Sequence, residues 1–207
     1  MPEAIHPAES SRAAAYALWM NAPNPMVTLI KTLDVTNPVR LGRRKGMKFN
    51  MLMAYCVGKA ATGIPEFYTL PVGDQLIRYE ALAVSTIVKC GDGELHSCDL
   101  RFSGDLAAFQ EEYLRRTAET AASRADRDLS AECMVIGTSA VVETEIDGAV
   151  GIYSGIYNNP FLIWGRYRKK RLRYSLPVSF QFHHTQMDGG HAGRFLESLQ
   201  TELLRLR

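Results

Sequence analysis

The sequence predicts an α+β fold, in which helices and strands follow one another without the regular alternation of a parallel α/β protein. Two patterns support this prediction. Segments with apolar residues at helical spacing are interleaved with β-branched runs that end in turn residues. In addition, the 207 residues contain no internal repeat and no long linker rich in Pro, Gly or Ser, which indicates one domain over residues 1–207.

The first half of the chain divides into a helix, a strand and a second helix. Residues 10–19 contain good helix formers after a serine cap, and the sequence NAPNP ends this helix. Residues 27–35 are expected to form a strand that ends at a Thr-Asn-Pro turn. Residues 47–62 have apolar side chains on most sides, which predicts a buried helix stopped by Gly63 and Pro65.

The middle of the chain is predicted to be rich in strands. Residues 75–79 and the β-branched run 81–88 form two of them, and the turn residues CGDGE follow. Residues 103–123 carry apolar residues at helical spacing and begin with a serine cap. Strands are then expected over residues 133–142 and 151–167, with a turn at Asn158-Asn159-Pro160 inside the second segment.

The last strand and helix show the clearest pattern. From residue 176 the even positions form one apolar face that ends in a histidine: Leu176, Val178, Phe180, Phe182 and His184. Asp188-Gly189-Gly190 is a turn signal, and a helix with a leucine-rich stripe follows it. Asp188 is expected to cap this helix.

His184 is the first candidate for a chemical role. Because burial disfavours the charged form, an imidazole on the apolar face is expected to be neutral and able to accept a proton. From the residue pattern alone, a buried structural histidine is the commoner explanation of such a position. A metal site formed by His183, His184, Asp188 and His191 is a third interpretation. The alternation argues against it, since adjacent histidines in a strand point to opposite faces.

Composition excludes several classes of protein. Hydrophobic residues make up 46% and charged residues 22%, which excludes a disordered chain. The longest uncharged apolar stretch, residues 51–57, is far shorter than the roughly 18–20 residues that a membrane helix needs. The N-terminus shows no secretory pattern, and the four cysteines are scattered without metal-site spacing. We therefore expect a cytoplasmic protein with reduced thiols and no membrane partner.

The formal net charge of +2 conceals one basic cluster. The sequence RYRKKRLR at residues 166–173 holds six of the 24 basic residues, which leaves 18 basic and 22 acidic residues elsewhere. A solvated hairpin is the common explanation of such a run, and contact with an anion is the functional alternative. Nucleic-acid binding is not expected, because the run lacks an aromatic platform and a recognised motif.

Several segments resemble one enzyme family. The string QFHHTQMDGGHAGRFLESLQ at residues 181–200 resembles the HHxxxDG signature of the chloramphenicol acetyltransferase family, with the same strand, turn and helix around it. Residues 47–67 resemble the central helix of that family, and residues 73–79 the strand after it. Residues 158–167, NNPFLIWGRY, resemble the segment that leads into the last strands. The resemblance covers most of the chain in order.

The resemblance implies a fold and a mechanism. The fold is a two-layer sandwich of a mixed β-sheet with helices on one side, as in CoA-dependent acyltransferases. The resemblance also implies a homotrimer with active sites between the subunits. His184 matches the general base that takes the proton of a substrate hydroxyl as the oxygen attacks acetyl-CoA, and no metal takes part. The implied acceptor is chloramphenicol or a similar small hydroxyl compound.

Other residues receive supporting roles from the same resemblance. Asp188 matches a structural aspartate that pairs with an arginine near the N-terminus, and Arg12 is the candidate partner. Arg166 and Tyr167 occupy the place of a basic residue and a tyrosine near the CoA site. Tyr16 and Trp19 are candidate lining residues of the substrate pocket, with plain core packing as the alternative.

The sequence departs from the family pattern at one position. The family places an oxyanion-stabilising serine after the position of Ala140, whereas residues 141–148, VVETEIDG, contain no serine. Thr144 is the hydroxyl residue available there. Two further functions therefore stay open: acyl transfer to another small alcohol or to a thiol, as in dihydrolipoamide acyltransferases, and non-catalytic binding on the same scaffold. The chain has no room for the lipoyl and binding domains of dihydrolipoamide acyltransferases.

Overall fold

The computed structural model describes residues 2–151, 153 and 155–207. Within these residues, short 3-10 helices cover Pro7–Glu9 and Pro65–Tyr68. The α-helices are α1 (Ala13–Trp19), α2 (Thr36–Lys45), α3 (Phe49–Ala61), α4 (Leu106–Ser123) and α5 (Gly189–Arg205). The strands are β1 (Glu3–Ile5), β2 (Met26–Asp34), β3 (Thr69–Val72), β4 (Gln75–Arg78), β5 (Leu82–Lys89), β6 (Leu95–Arg101), β7 (Met134–Val141), β8 (Phe161–Gly165), β9 (Arg168–Lys170) and β10 (Arg173–His183).

Seven strands form the main sheet, in the order β2-β10-β8-β7-β5-β6, with β9 paired to β10. Strand β7 runs parallel to both β5 and β8, whereas β10 is antiparallel to β2, β8 and β9. The sheet is therefore mixed. A second, three-stranded sheet has the order β1-β4-β3.

Helices pack on the face of β10 that the alternation predicts to be apolar. Phe180 on this face lies 4.6 Å from the ring of Phe195 on α5 and 6.1 Å from that of Phe67. Helix α3 contributes most of its residues to the same core. Burial of both elements stabilises the layer of helices on the sheet, and the predicted α+β sandwich is confirmed.

The opposite face of β10 is covered in part by the segment that follows β7. The amide of Ala149 donates to Ser179 Oγ at 2.7 Å, and Gln181 Nε2 donates to the carbonyl of Gly151 at 2.9 Å. A cavity of about 510 Å³ opens on this face beside Gln181.

The prediction for residues 151–167 is correct only in its second half. Strand β8 begins after the predicted turn, but the described residues of 151–157 form no strand. Here the backbone bonds to the side chain of Gln181 instead of pairing with a neighbouring strand. Ile152 and Ser154 lie outside the described residues.

Helix α2 replaces the turn that Thr-Asn-Pro predicts after β2. Pro38 is the third residue of α2, where its missing amide hydrogen costs no helical hydrogen bond. Gly46 ends the helix with φ of 67°, a left-handed conformation that glycine adopts without strain. Strands β3 and β6 were likewise not predicted, and Asp105, rather than Ser103, caps α4 through the amide of Ala108.

The helices and the cysteines bear on the expectations of no membrane partner and of reduced thiols. Among the described residues, every helix is too short or too polar to cross a bilayer. The four cysteines are buried and unpaired in the described part of the chain: Cys56, Cys90, Cys98 and Cys133.

Candidate active site

Strand β10 ends at His183, one residue before the predicted base. Its even positions are fully buried, as predicted: Leu176, Val178, Phe180 and Phe182. The alternation stops where the strand stops. His183, on the opposite face of the strand, is fully buried beside Tyr153, whereas His184 in the turn that follows is only half-buried. The prediction that His184 completes the apolar face is wrong, because the backbone leaves strand geometry at that residue.

The half-buried ring of His184 is held by an aromatic stack. It lies on Trp19 of α1, with ring centroids 4.5 Å apart and planes within 4° of parallel. The His184 amide donates to the carbonyl of Pro25 at 2.8 Å, which ties the loop to the start of β2. Nδ1 is buried and has no hydrogen-bond partner among the described residues. Nε2 is therefore the ring nitrogen that can meet a substrate.

Arg12 fixes the backbone around His184. Its Nη2 donates to the carbonyl of His184 at 2.8 Å and its Nε to the carbonyl of Thr185 at 3.1 Å. Its Nη1 lies 3.2 Å from Asp188 Oδ2. One planar guanidinium thus connects three points of the loop, a task for which its fixed donor geometry is suited. The structure brings together Arg12, Asp188, His184 and Trp19.

Asp188 caps helix α5, as the sequence predicts. Its Oδ1 accepts from the amides of Gly190 at 2.9 Å and His191 at 3.1 Å. Burial alone would raise the pKa of the Asp188 carboxyl. The hydrogen bond and charge of His191, the hydrogen bond from Gly190 and the charge of Arg12 outweigh burial and hold this pKa below its ordinary value. The carboxylate is therefore charged wherever the protein is expected to work.

His183 has a structural environment. Its Nδ1 accepts from the amide of Thr185 at 3.1 Å, and its ring meets Tyr153 edge-on at 6.2 Å. Desolvation, and secondarily the charge of His184, lower the pKa of His183 to about 4. A neutral, fully enclosed ring at neutral pH is suited to packing rather than to proton exchange with a substrate.

The metal interpretation of the histidine cluster receives no support from the side-chain positions. His191 instead contacts two carboxylates, of Asp188 and Glu66. Within residues 2–151, 153 and 155–207, no three His, Cys, Asp or Glu side chains are placed to hold one ion.

Tyr16 lies apart from this cluster. Its hydroxyl donates to the carbonyl of Asp74 and so connects α1 to the turn between β3 and β4. Of the two predicted pocket residues, the structure brings only Trp19 to His184.

Thr144, Arg166 and Tyr167 lie near the other end of β10. The Arg166 amide donates to the Thr144 carbonyl at 2.7 Å, and the Thr144 hydroxyl donates to the carbonyl of Glu145 at 3.3 Å. Trp164 pairs with Val178, and the six residues from there to His184 span about 20 Å of extended strand. Within one chain, Thr144 is thus too far from His184 to share a reacting atom with it.

A cavity of about 470 Å³ adjoins Arg166 and Tyr167. Lys48, which sequence reasoning missed, lines the same cavity, and Phe49 lies 5.0 Å from the Tyr167 ring. Lys48 and Arg166 are exposed and form no ion pair among the described residues. The sequence does show a lysine directly before the buried helix. No sequence pattern, however, indicates that Lys48 lies close to Arg166.

Two later residues of the basic run have surroundings that differ from those of Arg166. Arg168 lies 2.7 Å from Asp147 and 3.3 Å from Glu145, so its charge is neutralised within the chain. Arg171 forms the turn between β9 and β10 with φ of 55°. The basic cluster is therefore a hairpin. Arg166 lies before it and lines a cavity, whereas Arg168 forms ion pairs and Arg171 forms the turn.

Known structures share this architecture. A chloramphenicol acetyltransferase superimposes with a TM-score of 0.84 at 20% identity and covers 98% of this chain and 100% of its own. A probable dihydrolipoamide acetyltransferase from Listeria monocytogenes gives a TM-score of 0.72 at 14% identity and covers 98% and 93%. The fold is therefore that of the CoA-dependent acyltransferases.

Sequence comparison narrows this class to a family. The chloramphenicol acetyltransferase family model matches residues 4–200, and the chain belongs to that family of acetyltransferases. Chloramphenicol acetyltransferase 2 of Escherichia coli is 27% identical over 197 residues, which cover 92% of this chain and 91% of the relative. A chloramphenicol acetyltransferase of Bacillus pumilus is 25% identical over 194 residues, with coverage of 88% and 84%. The family predicted from sequence is confirmed.

Proposed function

We propose that this protein transfers an acetyl group from acetyl-CoA to the hydroxyl of a small molecule, with His184 as the general base and chloramphenicol as the acceptor. The arrangement around His184 carries the proposal. The ring stacks on Trp19, its Nδ1 is enclosed, and Arg12 holds its carbonyl. One ring nitrogen is thereby left to act on a substrate in a fixed direction.

The proposed reaction is direct transfer in a ternary complex. A neutral hydroxyl is a poor nucleophile, so His184 Nε2 accepts its proton as the oxygen attacks the thioester carbonyl. The tetrahedral intermediate then collapses and expels the CoA thiolate, and the imidazolium returns the proton to the sulfur. Positioning of both substrates lowers the entropic part of the barrier.

The proposed site for the adenosine phosphates of acetyl-CoA is the cavity beside Arg166. Lys48 and Arg166 bring two unpaired cations to its walls, which is suited to phosphate. Tyr167 and Phe49 add aromatic surface for the base. The long arm of CoA would then run towards His184.

The family resemblance implies a homotrimer with sites between subunits, and the position of Thr144 supports it. If Thr144 replaces the missing serine as oxyanion donor, it must come from a neighbouring chain, because the strand from the Trp164–Val178 pair to His184 alone spans about 20 Å within one chain. Sedimentation equilibrium should give three times the 23.1 kDa chain mass. A monomer at micromolar concentration would contradict this assembly.

Product analysis by mass spectrometry tests the acceptor. The protein is incubated with acetyl-CoA and, in separate reactions, chloramphenicol, other small alcohols and dihydrolipoamide. Acetylated chloramphenicol is the expected product. Acetylation of another alcohol or of the thiol alone would replace the acceptor and keep the reaction class. Absence of every acetylated product, with CoA binding retained, would favour a non-catalytic binding protein. The missing serine is the observation that suggests this alternative.

A further inference from the structure

His191 lies between two carboxylates that come from different parts of the chain. Its Nε2 is 2.9 Å from Glu66 Oε1, and its Nδ1 is 2.8 Å from Asp188 Oδ1. The side chains of His191 and Glu66 are 17% and 14% exposed. Both ring nitrogens are thus committed to acidic partners in a largely enclosed place.

These contacts continue to the proposed base. The second oxygen of Asp188 meets Arg12, which donates to the carbonyl of His184. A continuous series therefore runs from Glu66 through His191, Asp188 and Arg12 to His184. At its outer end, Glu66 Oε2 is buried without a hydrogen-bond partner among the described residues, and Oε1 of the same carboxylate faces His191.

Nδ1 of His191 faces two partners with opposite requirements. The carboxylate oxygen at 2.8 Å requires a proton on Nδ1, whereas the amide of Asp188 at 3.2 Å requires a lone pair there. Nε2 carries a proton in either case and lies 2.9 Å from Glu66 Oε1. In the imidazolium state, Nδ1 therefore holds the Asp188 carboxylate. In the neutral state, Nδ1 instead accepts a hydrogen bond from the Asp188 amide, and its lone pair repels Asp188 Oδ1.

We propose that His191 is a protonation-dependent positioning residue for His184. A proton on Nδ1 draws Oδ1 of Asp188 to the ring, and its loss frees that oxygen to be held by the helix amides alone. Because Arg12 joins the other oxygen to the His184 carbonyl, each state holds the loop of the base differently. The effect on turnover rests on the proposed function, whereas the coupling to His184 does not.

Charged groups from several elements face His191 among the described residues. Glu66 from the 3-10 helix and Asp188 from the turn face it directly, and Arg12 faces it across Asp188. Glu9 and Arg78 line the neighbouring cavity, which also contains Glu66 and Arg12.

NMR of the whole protein with ¹³C-labelled histidine tests the coupling. The His184 ring signals are followed from about pH 5 to pH 8, the range in which imidazoles exchange protons. In the native protein we expect the His184 signals to change together with those of His191 over this range. This shared change should disappear in His191→Gln and move along the pH axis in Glu66→Gln, which keeps the acceptor for Nε2 and removes the charge.

His96 provides the matched control, because it also lies between two carboxylates, Glu94 and Asp126, on the edge strand far from β10. His96→Gln should leave the His184 curve unchanged. Superimposable His184 curves for the native protein, His191→Gln and Glu66→Gln would overturn the proposal. Should His191→Gln fail to fold, the comparison of the native and Glu66→Gln curves for His184 decides instead, and superimposable curves would again overturn the proposal.

Kinetics separates this proposal from the proposed function. We expect His191→Gln to lower kcat about 10–100-fold with little change in the KM for acetyl-CoA, and to flatten the pH profile of kcat. A native-like pH profile in this variant would count against the proposal. If the native protein acetylates no acceptor, the proposed function fails, and the NMR curves alone then decide the role of His191.

Discussion

The two ends of strand β10 differ in how their charged side chains are held. At the His184 end, Arg12 and Asp188 are paired with each other and bonded to the backbone. At the other end, Lys48 and Arg166 are exposed and unpaired among the described residues. Paired charges fix geometry, whereas unpaired charges remain free for an anionic ligand. The first end is therefore suited to chemistry and the second to binding.

The pH dependence of stability tests the enclosed character of the His184 end. The pKa of His183 is lowered from 6.5 to about 4. Between these values the unfolded chain binds the proton and the folded chain does not, so the free energy of unfolding falls as the pH falls. We expect a loss of about 3 kcal/mol over this range, measured by urea unfolding.

His183→Asn should remove this part of the pH dependence, because no titratable group remains at that position. The exposed His6 is the control, and His6→Asn should retain the native slope. An unchanged slope in His183→Asn would show that the ring is accessible to protons in the folded state.

Removal of Arg12 tests whether the same end depends on its clamp. Arg12→Met keeps much of the side-chain volume but loses the pair with Asp188 and the bonds to His184 and Thr185. We expect kcat to fall about 100-fold, because the base is displaced, with a smaller change in the KM for acetyl-CoA. Arg205→Ala removes an exposed arginine on α5 and should retain native kinetics. A native kcat in Arg12→Met would refute the clamp.

The binding end should show the opposite kinetic pattern. Arg166→Ala and Lys48→Ala are each expected to raise the KM for acetyl-CoA about tenfold, because each removes one proposed phosphate contact, and to leave kcat nearly unchanged. Arg168→Ala is the matched control, since its charge is already neutralised by Asp147 and Glu145. An equal rise in KM for all three variants would indicate general electrostatic attraction instead of a site.

The smallest expected effect concerns the cap of α5. Asp188→Ala should lower the free energy of unfolding by about 1 kcal/mol at neutral pH, through loss of the amide hydrogen bonds. The lowered pKa of Asp188 means that its contribution is present above the unfolded pKa, near 3.9, and is lost as the pH falls through the folded value. Denaturant curves of the two proteins should therefore converge in acid. A constant difference down to about pH 2 would contradict the charge-dependent cap.

Sequence periodicity predicted the core of β10 correctly because the regular strand continues to Phe182. It misplaced His184 because a period-two pattern cannot show where a strand ends. Helix α2 was missed for a related reason: an Asn-Pro pair is compatible with a turn and also with the first turn of a helix. Tertiary contacts decided both cases.

The parts of the site that lie close together in sequence were accessible in advance. His184 and Asp188 share one motif, and Arg12 and Trp19 share one helical segment, so resemblance was enough to select them. Lys48 and Arg166 come together only through packing of α3 against the sheet. The contact between Glu66 and His191 likewise depends on tertiary packing, because no sequence pattern indicates that the 3-10 helix of Glu66 lies beside α5.

The rate of CoA thiol release from acetyl-CoA, measured with and without chloramphenicol, tests the central claim most directly. The native protein should release thiol only with the acceptor present. His184→Ala should lower kcat about 10²–10⁴-fold, the usual contribution of a general base, and retain the KM for acetyl-CoA. Native kcat in the folded variant would contradict the assignment of His184 as the catalytic base.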